Sequence, residues 1–265
     1  MKKLSIIIPS FKDPCLYNTI DSIIESFEGD YEIIPVIDGY KLKEPLRNDS
    51  RIKPVILEKN GGMREAINAG VSHATGEYLM RTDEHCMFGK GFDIKMLEPI
   101  QDNWIEVSRR YFLNPIEWKV MEDIPPIDYE KMIIKPDPKK LASGRWDSRT
   151  KARANIMVDE TMAFQGSMWV MPKSWWEKVI VRLDSNGYGT HYQDTIEMLF
   201  KTWKAGGKLM LNKNTWYAHK HREWNRSHQY PVEKAIPEWK FSLDLWNDDY
   251  LKMRKNWDEK VARGE

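Results

Sequence analysis

The first hundred residues alternate between short unbroken apolar runs and amphipathic stretches, and this rhythm constrains the fold more than any other feature. "LSIIIPS" (4–10) is a continuous apolar run, as expected of a strand covered on both faces. Leu16, Ile20, Ile23, Ile24 and Phe27 then fall at helical spacing, with Pro14 placed for a first-turn position. "YEIIPVID" (31–38), "IKPVILE" (52–58) and "EYLMRTD" (77–83) predict three more strands. Between the last two, Met63, Ile67, Gly70, Val71 and Ala74 trace one helical face. Strands alternating with helices predict βαβ units and an α/β fold with a mostly parallel central sheet. Ligands in such sheets bind beyond the carboxyl ends of the strands. Asp38 and Asp83 stand at two of those ends and are expected to face one crevice.

After Leu113 the rhythm breaks. Residues 114–160 hold five prolines, many charges and little periodicity, and read as an elaboration inserted into a single domain. Patterning resumes at "MAFQGSMWVMPKSWW" (162–176). In "YQDTIEMLFKTWKAGG" (192–207) a helix carries Ile196, Leu199, Phe200 and Trp203 on one face and stops at Gly206 and Gly207. "KLMLN" and "TWYAHKH" read as two strands. From Pro237 onward Trp239, Leu243, Trp246, Tyr250 and Met253 predict a helix packed back on the core. The expected organisation is therefore one domain over 1–236, with 114–160 inserted, and a helical extension over 237–265.

Forty-one Lys and Arg against 40 Asp and Glu leave a formal charge of +1, so no global field argues for a nucleic acid or a membrane. Cys15 and Cys86 make no disulfide framework, which fits a reducing, cytoplasmic compartment. No segment approaches the roughly 18 apolar residues that cross a bilayer. The apolar run in "MKKLSIIIPS" is too short for a signal peptide and reaches Pro9. The expectation is a soluble protein.

"MRTDEHCMF" (80–88) crowds Asp83, Glu84, His85 and Cys86 at the end of the fourth strand. The strand period of two gives Asp83 and His85 one direction and turns Glu84 away. A zinc site through His85 and Cys86 lacks a second ligand pair at zinc spacing. A divalent cation such as Mn2+ or Mg2+ held by Asp83 and His85 is the sharper expectation, against a solvated charged loop.

Taken with these residues, the chain resembles glycosyltransferases of the GT-A fold over 1–112 and 160–222. "NGGMREAINAGVSHATGEYLMRTDEH" is similar to the family 2 pattern N-x-G-x-x-x-A-R-N-x-G-x-x-x-A-x-G-E-Y-x-x-x-x-D-x-D, with Ile67 in place of the arginine and His85 in place of the second aspartate. The D-x-H form, "QDTIEMLFKTWKAGG" and "TWYAHKHR" resemble polypeptide N-acetylgalactosaminyltransferases. The resemblance implies a nucleotide pocket lined by Pro9, Ser10, Phe11 and Gly62, with Asp38 meeting the base. It makes His219 the third metal ligand beside Asp83 and His85, and it gives Arg222 and Lys220 to the diphosphate. "FQGSMWVMPKSWW" is similar to the glycine-rich segment on the acceptor side, which brings in Gly166, Ser167 and Trp169; Trp224 is added as a pocket wall. Asp194 falls on the acidic position that approaches the acceptor, and 221–231 resembles the loop that closes over the donor.

The implied activity is metal-dependent transfer of a sugar from a nucleotide-sugar, with UDP as the nucleotide, to a hydroxyl on a saccharide or a protein. Family 2 enzymes invert and the N-acetylgalactosaminyl enzymes retain; Asp194, placed as a base, favours inversion. The basic stretch 135–154, with Lys139, Lys140, Arg145, Arg149, Lys151 and Arg153, raises hydroxymethylated bases in DNA as an alternative acceptor. Two other classes remain: an inactive sugar-nucleotide-binding module, and a nucleotidyltransferase. The latter calls for a glycine-rich, lysine-bearing loop after the first strand, and "PSFKDPCL" has no glycine.

Overall fold

A computed structural model describes residues 3–221 and 231–265. The alternating half forms as its pattern dictates. Strand β1 (Lys3–Ser10) leads into α1 (Leu16–Ser26), β2 (Asp30–Asp38), β3 (Val55–Leu57), α2 (Gly62–His73) and β4 (Tyr78–Thr82). The sheet order is β3-β2-β1-β4 here, with every pair parallel. Pro14 precedes α1, whose first residue is Leu16.

Beyond β4 come β5 (Cys86–Phe88), α3 (Phe92–Leu97) and β6 (Trp104–Asn114), which pairs with the two-residue β7 (Lys119–Val120). The sheet continues past β4 through β11 (Met168–Pro172), β6, β12 (Lys208–His219) and β10 (Val158–Glu160). β11 runs antiparallel to both β4 and β6, while β12 runs parallel to β6. "KLMLN" and "TWYAHKH" are one strand, not two; its register against β6 shifts between Asn212 and Trp216.

Both faces of the sheet are covered. Ile6 and Ile8 pack with Leu16, Ile20, Ile23 and Phe92 of α1 and α3 on one face. Ile7 packs with Ile67, Trp169 and Leu199 on the other, under α2 and α6 (Asp194–Lys204). Gly70 lets α2 lie close to the sheet, since a Cβ there would sit 2.4 Å from Ile7 Cγ2.

The elaboration is more ordered than its sequence suggests. It holds the two-stranded hairpin β8 (Glu130–Pro136) and β9 (Lys139–Arg145), and α4 (Asp147–Ala152). α5 (Lys173–Trp175) and a π-helical turn (Trp176–Ile180) follow β11. The last helix, α7 (Val232–Ala262), begins before Pro237 and contains it. Pro237 has no N–H to give the Glu233 carbonyl, and Glu233 is exposed, so water can serve it. α7 buries Trp239, Leu243, Trp246, Tyr250, Met253 and Trp257. Trp246 stacks on Phe200 at 5.1 Å and donates its Nε1–H to Tyr188 Oη at 2.6 Å. Much of the basic stretch is matched inside the chain. Arg149 and Arg153 both pair with Asp159, Arg145 pairs with Asp147, and the Lys140 ammonium lies 3.3 Å from the Trp239 ring centroid. That segment therefore gives the DNA alternative little support. Cys15 and Cys86 are both free and buried. No described helix is long and apolar enough to cross a membrane.

Candidate active site

The topology gathers the site at one edge of the sheet. β1, β2 and β4 are parallel, so Ser10, Asp38 and Thr82 end together. β11 is antiparallel and begins there, with Met168 opposite Thr82. β12 finishes there, with His219 opposite Cys86.

Asp83, His85 and His219 offer donor atoms that all lie within 4.8 Å of one another. Asp83 Oδ2 is 3.0 Å from His219 Nε2 and 3.7 Å from His85 Nε2. Burial alone would raise the Asp83 carboxyl, but the charge of Arg81 and the His219 hydrogen bond hold it well below the usual carboxylate range. Burial holds the His219 imidazole well below its ordinary value, so it is neutral and has a lone pair to give. One carboxylate oxygen and neutral imidazole nitrogen facing the same point are a donor set that fits a divalent cation. Two of the three donors are nitrogens, less oxygen-rich than a D-x-H pair alone suggests, which favours manganese over magnesium. Cys86 stands outside this group, its thiol directed at the Ser167 carbonyl at 3.8 Å.

Neighbours without a sequence signal of their own support this cluster. His85 Nδ1 is 3.2 Å from Asp13 Oδ2, and Lys220 Nζ reaches the same oxygen at 3.3 Å. Burial opposes the Asp13 charge, yet His85 and Lys220 hold its carboxyl well below the usual range. Arg81 NH2 grips Asp83 Oδ1 at 2.6 Å. Asp13 and Arg81 look like ordinary loop and strand residues in the sequence; only the fold shows what they touch.

Glu84 turns away from the cluster, as expected from the sequence, but in the turn between β4 and β5 and not by strand alternation, since β4 ends at Thr82 and β5 begins at Cys86. It accepts hydrogen bonds from Ser10 Oγ and, at 3.0 Å, from the Phe11 N–H. Burial pushes its carboxyl up to about 8 against the pull of those two bonds. Ser10 also meets Tyr40 Oη at 2.5 Å, and Tyr40 sets its ring edge-on to Phe11 at 6.0 Å. Pro9, Ser10 and Phe11 thus stand at the strand edge beside an aromatic pair suited to a base. Asp38 is there too, but its carboxylate takes the N–H groups of Gly61 at 2.6 Å and Gly62 at 2.9 Å, and Asn60 Nδ2 at 2.9 Å. It closes the entry to α2, so any contact with a base shares this carboxylate with that turn. Gly62 lies against Thr190, whose Cβ would be 2.6 Å from an added Cβ.

Asp194 opens α6, where the helix dipole favours its charge. Gly166 lies against it, since a Cβ at Gly166 would sit 3.1 Å from Asp194 Oδ2. The next residue, Ser167, accepts the Asp83 N–H on its carbonyl at 2.9 Å. Asp194 therefore lies beside the backbone whose next residue is hydrogen-bonded to Asp83. The Ser167 hydroxyl faces inward, 2.7 Å from Tyr217 Oη. Trp169 is a correction: it is fully buried and stacked on Trp176 at 5.9 Å, a core residue and not an acceptor contact. In β11 it shares a face with Met171, turned under α2 and α6. Arg222, Trp224 and most of the expected closing loop 221–231 lie outside the described residues.

A family model described as "Glycosyl transferase family 2" matches residues 5–180. The chain belongs to that family. This family 2 glycosyltransferase is 24% identical over 181 residues to "Uncharacterized glycosyltransferase EpsJ" of Bacillus subtilis (strain 168), covering 61% of this chain and 52% of that protein. It is 26% identical over 239 residues to "Polypeptide N-acetylgalactosaminyltransferase 3" of Taeniopygia guttata, covering 81% of this chain and 36% of the relative. The glycosyltransferase thus spans about half or less of the length of these curated relatives. Its fold matches the crystal structure of GalNAc-T7 with UDP, GalNAc and Mn2+ at a TM-score of 0.75 and 19% identity, over 94% of this chain and 50% of that one. The GT-A architecture expected from the sequence is therefore the fold of this enzyme.

Proposed function

We propose that this glycosyltransferase moves a sugar from a UDP-sugar to a hydroxyl acceptor, with a divalent cation held by Asp83, His85 and His219 and with inversion at the anomeric carbon. The observation that carries the reading is the convergence of those three donors at the sheet edge where Ser10 and Phe11 end β1. The fold-mate bound to UDP, GalNAc and Mn2+ supports both the nucleotide and the ion. When bound, the ion neutralises charge that grows on the diphosphate as the glycosidic bond breaks. Lys220, buried beside Asp13, adds positive charge at the same edge. Asp194 takes the acceptor hydroxyl's proton as its oxygen forms the new bond to the anomeric carbon and UDP leaves with the bonding pair. Gly166, by lacking a side chain, lets the backbone pack directly against Asp194 and Thr195, where a Cβ would sit 3.1 Å from Asp194 Oδ2 and 2.9 Å from Thr195 Cγ2.

Calorimetry of UDP with and without manganese tests the reading. The expected result is binding that requires the ion and is lost in Asp83→Ala. Equal affinity in chelator overturns the metal assignment, and a donor screen in manganese that shows no hydrolysis of any UDP-sugar overturns the choice of nucleotide.

A further inference from the structure

Four arginines are buried among the described residues, Arg64, Arg81, Arg110 and Arg149, and each leaves its Nε without a hydrogen-bond partner; Arg81 leaves NH1 unmatched as well. Arg64 directs two nitrogens at Glu197 Oε2, each at 2.7 Å, and Arg110 reaches both oxygens of Glu130 at 3.2 Å. Arg81 is different. It is 2% exposed, and a single nitrogen, NH2, makes its contacts: Asp83 Oδ1 at 2.6 Å and Met63 Sδ at 2.9 Å. Its Nε and NH1 are buried with no hydrogen-bond partner among the described residues. Leaving two guanidinium donors unmatched away from water is costly, and the cost is met when an oxygen of a bound molecule supplies the acceptor. The position favours that explanation. Arg81 holds Asp83 by Oδ1, whereas Oδ2 is the oxygen that faces His85 and His219.

We propose that Arg81 is a positioning and donor-binding residue: it fixes Asp83 to present one oxygen to the cation, and its free Nε and NH1 take an oxygen of the sugar nucleotide. This rests on the metal reading above and extends it. A guanidinium suits the task because its rigid planar fork grips the carboxylate at one end while Nε and NH1 donate from fixed positions at another; an ammonium offers its donors from a single point.

The test compares full-length wild type, Arg81→Lys and Arg81→Met. Three quantities are read: Mn2+ affinity by electron paramagnetic resonance without nucleotide, calorimetric affinity for UDP and for a non-hydrolysable UDP-sugar analogue at saturating Mn2+, and thermal unfolding. Both variants should bind Mn2+ about 10- to 100-fold more weakly, the scale seen when a partner behind a metal ligand is removed. At saturating Mn2+, a loss shared by UDP and UDP-sugar places the Arg81 contact on a diphosphate oxygen; a loss confined to UDP-sugar places it on a sugar hydroxyl. Either supports the proposal. Arg81→Lys keeps the buried charge and most of the stem, so it reports even where Arg81→Met fails to fold. An Arg81→Lys protein that melts earlier yet binds Mn2+, UDP and UDP-sugar as wild type does would overturn it and leave Arg81 a core residue. Wild type with no manganese-dependent UDP binding overturns the metal reading and this inference together, so the two failures are distinguishable.

Discussion

Asp194 differs from the cation ligands in what its loss should do. It stands at the first position of α6 against Gly166, outside the Asp83–His85–His219 group. Asp194→Asn should lower kcat by about 10²- to 10⁴-fold, while UDP affinity with manganese stays within about twofold. Single-turnover transfer beside calorimetry separates the two; a variant that keeps a tenth of wild-type turnover makes Asp194 structural. One turn along the same helix, Glu197 is buried against Arg64 at 2.7 Å. Glu197→Leu strands that arginine and should cost about 3–5 kcal/mol in urea unfolding. At this scale a spacing of two grouped Asp83 with His85 and set Glu84 apart, a rule taken from strands whose outcome holds although the three residues lie in the turn between β4 and β5. The side on which His219 falls was not open to the same rule. β12 slips in register between Asn212 and Trp216, and alternation cannot be carried across such a slip. Trp169 misled because it entered through the resemblance of its whole segment to an acceptor-side stretch, and such a resemblance does not say which side chains of the segment are buried.

Between elements, polar contacts tie the parallel half together. Glu32 on β2 accepts from Ser5 of β1 at 2.6 Å, from the Thr75 N–H after α2 at 2.7 Å, and from Lys53 at 2.7 Å. Burial opposes its charge, but those donors bring the carboxyl down to about 2 from the ordinary 4.5. A lowered carboxyl binds its proton more weakly in the folded chain than in the unfolded one. The stability it contributes is therefore full above about pH 4.5 and is lost as pH falls towards 2. Melting followed from pH 6 to pH 2 should show that decline in wild type and less of it in Glu32→Gln. Gly70→Ala pushes a methyl against Ile7 and should cost about 1–3 kcal/mol. The order of the βαβ elements was legible because the apolar runs declared strands and helices in turn, whereas the Glu32 contacts between them carried no sequence signal. The hairpin β8–β9 was not: its strands, "EKMIIKP" and "KKLASGR", are covered in part by a helix that follows a hundred residues later, so neither alternates cleanly.

For the whole molecule, α7 acts as a clasp that arrives last in the chain and closes the core below α6 and the hairpin. A chain ended before Val232 uncovers Phe200, Tyr188 and Trp146, which face Trp246 and Trp257. It should lose cooperative unfolding, seen as a broad calorimetric transition; a sharp transition would make α7 an appendage. The most consequential link at this scale is smaller. Asp83, Glu84 and His85 are consecutive, and the middle residue grips Ser10 and Phe11 at the end of β1 while its neighbours face the cation point. A nucleotide that settles β1 and an ion that settles Asp83 and His85 act on one three-residue span. Under the proposed function the two ligands share that span, and any coupling between them acts on both affinities by the same factor. Titrating UDP across a range of manganese concentrations measures that factor, and Glu84→Gln, which loosens the grip on β1 without removing a ligand, should shrink it towards one.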